Sequence, residues 1–531
     1  MIASFLIGHL QVPTLVIVPN TALLKQWGSS LEQFLEINEE LPVLFTKTGK
    51  PSRKKRSIIG QLSGGKNTLG GIVDVATFQS LIEKDELGEG VVKSAVNRYG
   101  LVIFDECHHA PAPQAALVVK NLCVRYLFGL SATPEREDAR GKMVYLQFGP
   151  VRYKVTSKEQ AKKQSFDRIL VPRFTRIRIN YGDKNAQGKN GLTLNQVMDQ
   201  LDTNPVRNRL IVDDVIDALT SGKTPLVVTK RKAQAKTIAN LLEERLAQNQ
   251  EIRHPAQRKD SKIYLLTGEG TPKEKQQRLD EIDEKQKAES DTPVIVATGS
   301  YIGEGFDLPR LDALFLASPH SAERVITQYS GRLHRDYEGK RHAIVYDYVD
   351  ATVPMLDRMY KKRLKTYAQL GYEIGPNLGY TVSSASVSAE SFGKIMRAAE
   401  SKATFRKDID CSSQSIYIAA PYLHVGMIRY LGEALKNASL CGVEITCVIR
   451  ESKSEEVKVG IVKQTEELEK LGCNVRLEQD APWGLAVFDE EVVWYGTLPL
   501  LAFGKEEDCS LRILSREVAA DLLEDYMINL P

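Results

Sequence analysis

The chain has 531 residues, 26% of them charged, and a formal net charge of +3. That length supports about two to four domains, each with its own core, and the near-neutral balance excludes a globally basic polyelectrolyte, so any nucleic-acid surface must be local. Seven scattered cysteines without CxxC pairs exclude a disulfide scaffold and fit a reduced, cytoplasmic setting; no apolar run reaches bilayer-spanning length, so no membrane partner is expected.

The first residues, MIASFLIGHLQ, lack a basic leader and a cleavage site and read as a buried helix, not a signal peptide. Thr14 to Val18 reads as a strand ended by Pro19, Asn20 and Thr21. A helix follows from near Ala22, with Leu23, Leu24 and Trp27 at helical spacing. Lys47 to Lys66 is basic and rich in Gly and Ser. It suits either a solvated loop or helix face, or a phosphate contact. Ile72 to Leu81 is another strand ending in hydroxyls, Thr77 and Ser80.

Leu101 to Phe104 reads as a buried strand delivering Asp105 and Glu106 at its end. Tyr126 to Leu130 delivers Ser131, Ala132 and Thr133 in the same way. In an open parallel α/β sheet that edge binds ligands. An apolar strand ending in Asp is the pattern that helps hold Mg²⁺ on a triphosphate. An adjacent Glu can serve as general base on a water. The plain alternative is a solvated acidic pair. Cys107, His108 and His109 do not read as a zinc site, because consecutive residues rarely converge on one ion.

Met143 to Tyr153 is expected to be a strand with a Gly-Pro turn, and residues 166–200 a polar connector. Leu210 to Leu219 reads as a helix. The letters Gly222-Lys223-Thr224 follow it, but the order helix, turn, strand is wrong for a phosphate-binding loop and the upstream glycine is missing. Strands are expected at Leu226–Thr229, Ile263–Leu266, Val294–Thr298 and Ala313–Ala317, with a helix at Ala233–Leu246 and a charged helical stretch at 269–291. After Thr298 come Gly299, Gly303, Gly305 and Asp307, where glycines permit close approach to phosphate. Gln328, Arg332 and Arg335 are spaced i, i+4 and i+7, which places them on one face if the helix runs through them. Guanidinium groups there can reach a γ-phosphate.

Together these motifs resemble the DECH variant of superfamily-two DEAD/DEAH-box helicases, nearest to restriction-enzyme motor subunits, over roughly residues 1 to 372. The resemblance implies an α/β protein with two RecA-like parallel-sheet domains, at 1–165 and 201–373, that use ATP and Mg²⁺. It assigns Asp105 to the metal, Glu106 to water activation, and Arg332 and Arg335 to phosphate sensing. His108, Gln328, Gly303, Gly305 and Asp307 go to the nucleotide. Pro19, Thr21, Thr77, Ser131 and Thr133 go to nucleic acid. The implied substrate is double-stranded or forked DNA, with nuclease or primase partners. The family's G-x-x-x-x-G-K-[ST] should precede a helix in which Met1 already sits. The expectation is therefore an N-terminally truncated first domain with impaired ATPase activity.

Residues 374–400 read as a linker. The remainder, 401–531, reads as strands at Ser415–Ala420, Val443–Ile449 and Asn474–Leu477, then a hairpin turning at Glu490-Glu491. It resembles a phospholipase-D-like domain whose H-x-K-x-x-x-x-D motif is degenerate. With Asp489 at the aspartate, Pro482 and Gly484 stand where histidine and lysine belong. Without the nucleophile, binding is expected rather than cleavage. Two alternatives to a motor remain: a restriction-type endonuclease subunit, and a non-enzymatic DNA-binding remnant.

Overall fold

A computed structural model describes residues 2–39, 57–86, 88–131, 141–155, 164–175, 177, 179–180, 192–252, 262–271, 274, 277–282, 284, 292–302, 308, 310–375, 393–451, 455–478 and 484–528. The chain divides into two units, Met1–Lys154 and Val155–Pro531.

In the first unit the strands are β1 (Thr14–Val18), β2 (Ile59–Ser63), β3 (Lys66–Asn67), β4 (Val73–Thr77), β5 (Leu101–Phe104) and β6 (Tyr126–Gly129). They form one sheet in the order β3-β2-β4-β1-β5-β6. Every pairing is parallel except the short β2–β3 ladder. All residues of β1, β4 and β5 are buried. Continuous apolar runs of this kind suit strands covered on both faces. Helix α1 (Ile2–Leu10) buries Ala3, Ser4 and Ile7, while Ile2 and Phe5 are exposed, so only one face of it is covered. Helix α2 (Thr21–Phe34) starts where the Asn20 side chain accepts from the Leu23 N–H at 2.9 Å, which satisfies an otherwise orphaned donor.

Two expectations change here. Residues 143–148 are helical, not extended: α4 (Gly141–Phe148) follows α3 (Pro113–Lys120). Val144 and Phe148, four residues apart, turn to the same core, and the Phe148 ring meets Phe104 edge-on at 5.7 Å. Residues 40–56, which hold most of the basic run, lie outside the described residues.

The second unit begins with a seven-stranded sheet: β7 (Asp167–Phe174), β8 (Pro225–Thr229), β9 (Ile263–Leu266), β10 (Val294–Thr298), β11 (Ala313–Leu316), β12 (His342–Val349) and β13 (Glu373–Ile374). Its order is β9-β10-β8-β11-β12-β7-β13 and every pair is parallel. The presumed connector thus supplies β7, inserted between β12 and β13, as well as helix α5 (Leu194–Thr203). Two arginines hide the strand in the sequence. Arg168 donates to Leu370 O, and Arg173 forms a bidentate pair with Asp214. Helices α6 (Pro205–Thr220) and α7 (Lys232–Ile252) follow. The Gly-Lys-Thr letters form the turn after α6, with Gly222 at φ 76°, as expected of a helix C-terminal glycine.

The remaining helices of this layer are α8 (Glu323–Leu333) and α9 (Pro354–Leu370). Buried ion pairs tie α9 and α6 to β12 and the residues just after it. Arg363 donates to both Asp347 oxygens at 2.7 and 2.8 Å, and Arg207 pairs with Asp350 at 3.1 Å. Removing one partner from such a pair would strand a buried charge.

A third sheet comprises β14 (Gly393–Arg397), β15 (Ser415–Ala420), β16 (Glu444–Arg450), β17 (Asn474–Glu478), β18 (Leu485–Phe488), β19 (Val492–Gly496) and β20 (Cys509–Leu514). Its order is β14-β20-β19-β18-β15-β16-β17, parallel only at β15–β16 and β16–β17. Helices α10 (Ala398–Cys411), α11 (Val425–Leu440), α12 (Glu455–Lys470) and α13 (Arg516–Ile528) complete this layer. The expected linker therefore ends earlier than drawn, because residues 393–400 already belong to β14 and α10; residues 376–392 lie outside the described residues. The hairpin turns at Asp489-Glu490, both at positive φ, with the Glu491 N–H bonded to Phe488 O. Two consecutive positive φ values match the twist of a tight hairpin.

One apolar core runs from the second sheet into the third, joining Tyr360 and Tyr367 of α9 to Tyr495 and Leu511. Tyr495 donates its hydroxyl to Asp357, which also holds Lys361 at 3.0 Å. Among the described residues no helix is long and apolar enough to cross a membrane.

Candidate active site

Because β1, β4, β5 and β6 are parallel, their carboxyl ends share one edge of the first sheet. That edge gathers Pro19, Thr21, Thr77, Asp105, Glu106 and Ser131. Thr133 lies outside the described residues.

Asp105 is held at both oxygens. The Trp27 indole N–H donates to Oδ2 at 2.7 Å and the Glu106 N–H donates to Oδ1 at 2.9 Å. Burial pushes its carboxyl above the usual carboxylate range, and the Trp27 hydrogen bond opposes that shift. Glu106 adopts the left-handed conformation, φ 50° and ψ 50°. A non-glycine residue there is uncommon and costs free energy. The turn swings the chain so that His108 faces back. His108, expected on the nucleotide, is 1% exposed and placed inside the protein. Its Nδ1 lies 3.1 Å from Glu106 Oε2 and 3.1 Å from Ser131 Oγ. Two residues from two strand ends, Glu106 and Ser131, thus converge on one imidazole.

The hydroxyls differ in their use. Thr77 Oγ1 is buried and bonds Ser80 Oγ at 2.7 Å, whereas Thr21 is exposed. Gln79 donates to Pro19 O at 3.1 Å, linking the ends of β4 and β1.

In the second unit, β10 runs into a single helical turn, Gly299–Ile302. Gly303, Gly305 and Asp307 lie outside the described residues. Gln328 and Arg332 are on α8, and Arg332 Nη2 donates to Ile302 O at 3.2 Å. The one-face expectation fails for Arg335. The helix ends at Leu333 with His334 as its cap, so Arg335 sits on the following turn.

Two family models match the chain. "Type III restriction enzyme, res subunit" covers residues 1–136, and "Helicase conserved C-terminal domain" covers residues 210–337. These two stretches are similar to superfamily-two helicases. The chain is 26% identical to protein 161L of invertebrate iridescent virus 6, over 68% of its own length and 72% of the relative's. It is 26% identical to the DNA 3'-5' translocase XPB2 of Sulfurisphaera tokodaii, over 30% of each chain. It is 22% identical to the ATP-dependent DNA helicase uvsW of Enterobacteria phage T4, over 66% of its own length and 62% of the relative's. The crystal structure of T4 UvsW aligns over 70% of this chain and 68% of that one, with a TM-score of 0.28 and 19% identity. The chain thus spans less than two thirds of the length of XPB2 and uvsW.

The sequence pattern marks Trp27 only as an apolar helix position, yet its indole meets the acidic residue of the neighbouring strand. A tryptophan early in a helix that leaves a strand beside the acidic one was the available signal. In the tail, Asp489 is occupied. It accepts N–H groups from Ser413, Gln414 and Ser415 at 2.9, 2.8 and 3.0 Å. Burial raises its carboxyl, but these amide bonds prevail and hold it below the usual range. Its role in the fold is to fasten the strand entering β15.

Proposed function

We propose that this chain is an ATP-driven translocase acting on duplex or forked DNA. The observation that carries the reading is the His108 junction, which ties Glu106 of the acidic turn to Ser131 of the adjacent strand end. In such an arrangement a change at the reacting water is transmitted to a second strand end. The choice of DNA draws on the relatives named as a DNA translocase and a DNA helicase.

Among the described residues no group of three or more His, Cys, Asp or Glu is arranged to hold a metal. Mg²⁺ is usually bound by one or two carboxylates together with nucleotide phosphates. Asp105, with both oxygens fixed, is the residue that would hold it, and the ion would neutralise phosphate charge when bound. Glu106 orients and deprotonates the water. Arg332 and Arg335 stabilise charge on the transferring phosphoryl group. The third sheet serves as a binding or scaffolding domain moving with the second motor sheet, since the two share a core.

The second reading is a DNA-binding protein without hydrolysis. The test is ATP hydrolysis with and without duplex DNA, single-stranded DNA and RNA. It is run on the chain and on the same chain carrying a family P-loop segment ahead of Met1. DNA-stimulated hydrolysis in the fused form supports the motor. DNA binding with no hydrolysis in either form supports the second reading.

A further inference from the structure

We propose that Lys340 is the positioning residue for the arginine segment that follows α8. The inference rests on the phosphate role proposed for Arg332 and Arg335. The problem it solves is geometric. Arg335 lies two residues beyond the last helical residue, Leu333, so helix geometry does not fix its direction. The last carbonyls of any helix lack intrahelical partners. Here three consecutive carbonyls, those of Leu333, His334 and Arg335, are each claimed by a side chain from elsewhere.

Lys340 claims two of them. Its ammonium, on a residue 5% exposed, donates to Leu333 O, to Arg335 O at 3.0 Å and to Leu311 O at 2.8 Å. Three donors thus meet three carbonyl acceptors, which is the full capacity of an ammonium group. Two ring faces close the cage, Phe166 at 4.8 Å and Tyr337 at 5.2 Å from Nζ. The carbonyl between them, His334 O, accepts from Gln164 Nε2 at 2.7 Å. A positive charge at a helix C-terminus also complements the helix dipole.

The third acceptor gives the cage its consequence. Leu311 follows the Gly303–Asp307 segment in the sequence and lies two residues before β11. Its neighbour Asp312 accepts from the Tyr337 hydroxyl at 3.3 Å and from the Thr224 N–H at 2.6 Å. One ammonium therefore fastens the turn that carries Arg335 to the exit of the glycine-rich segment. Arg332 is tied to the entrance of that segment through Ile302 O. The two arginines are thus registered against its opposite ends.

The test uses the full chain and the variants Lys340→Met and Lys340→Arg. Methionine keeps the length and loses every donor; arginine restores donors and charge. Hydrogen exchange is read without nucleotide. In Lys340→Met, amides of residues 331–341 are expected to exchange at least about tenfold faster, as for loss of one hydrogen bond to a charged group. Amides of 354–370 stay at the wild-type rate, and Lys340→Arg recovers part of the protection. In the P-loop-fused form, Lys340→Met lowers kcat as far as Arg335→Ala does and leaves the DNA concentration for half-stimulation unchanged. The double variant is no worse than Arg335→Ala alone. Unchanged exchange in Lys340→Met overturns the positioning role. So does faster exchange with wild-type kcat, or a double variant whose losses add. A wild-type fusion that hydrolyses nothing overturns the motor reading instead, and the exchange arm alone then decides Lys340.

Discussion

Gly299 offers the sharpest structural test of how the turn after β10 packs against α8. It opens the single turn after β10, and a Cβ placed there would lie 1.9 Å from the Tyr329 hydroxyl and 3.0 Å from the ring carbon bearing it. Ordinary contact begins at about 3.4 Å, so in Gly299→Ala the hydroxyl must retreat by roughly 1.5 Å. Tyr329 is 5% exposed on α8, three residues before Arg332, and has little room to move. Overpacking of this kind costs about 1–3 kcal/mol. The displaced helix would also strain the Arg332 bond to Ile302 O. Tyr329→Phe removes the clashing oxygen and leaves only the tight 3.0 Å approach. The double variant should therefore regain at least about half of the loss, measured as a coupling energy in a urea double-mutant cycle. Gly299→Ala within about 0.5 kcal/mol of wild type, or strictly additive losses, would refute the reasoning.

Three further outcomes follow from carboxylates held by hydrogen bonds or by burial. Trp27→Phe keeps an aromatic ring but strips Asp105 of its indole donor, and should cost about 1.5–3 kcal/mol in chemical denaturation; a loss below about 0.5 kcal/mol would show that the bond contributes little. Asp202 is 8% exposed, and burial, opposed by Arg231 and Arg207, pushes its carboxyl up to about 6. The folded state then holds the proton more tightly than the unfolded chain, so this group's contribution falls as pH rises from about 4 to 6. Asp202→Asn should remove that slope and raise stability at pH 7 by at most about 3 kcal/mol, and a less stable variant at pH 7 would contradict it. Asp489→Ala should cost about 1–3 kcal/mol by leaving three amides unanswered. Because the folded carboxyl is held low, its contribution is present at neutral pH and fades on acidification below the usual carboxylate range. Equal acid sensitivity of wild type and variant would count against this account.

The strands of the first two sheets were legible because β1, β5, β8, β10 and β11 are short apolar runs, each ending in turn or polar residues. Asp105 and Glu106 stood out for the same reason. What escaped the sequence depends on partners far along the chain. Strand β7 carries Arg168, Pro172 and Arg173, which look like loop letters until Leu370 O accepts from Arg168 and Asp214 pairs with Arg173. Helix α4 is spelled Met-Val-Tyr-Leu-Gln-Phe, a strand-like composition that its packing on Phe104 overrides. The i, i+4, i+7 spacing of Gln328, Arg332 and Arg335 assumed a helix two residues longer than the one present, because nothing local revealed the Lys340 cage. Trp27 was visible as a core residue, but only the adjacency of β1 and β5 brings its N–H to Asp105.

The measurement that bears most directly on the motor account is DNA-stimulated ATP hydrolysis by the P-loop-fused chain, compared with its Glu106→Gln and Arg335→Ala variants. The account predicts that each variant loses at least about a hundredfold in kcat, in line with removal of a general base or a phosphate-stabilising arginine, while duplex DNA binding persists. Hydrolysis at the wild-type rate in either variant would contradict the roles assigned to these residues.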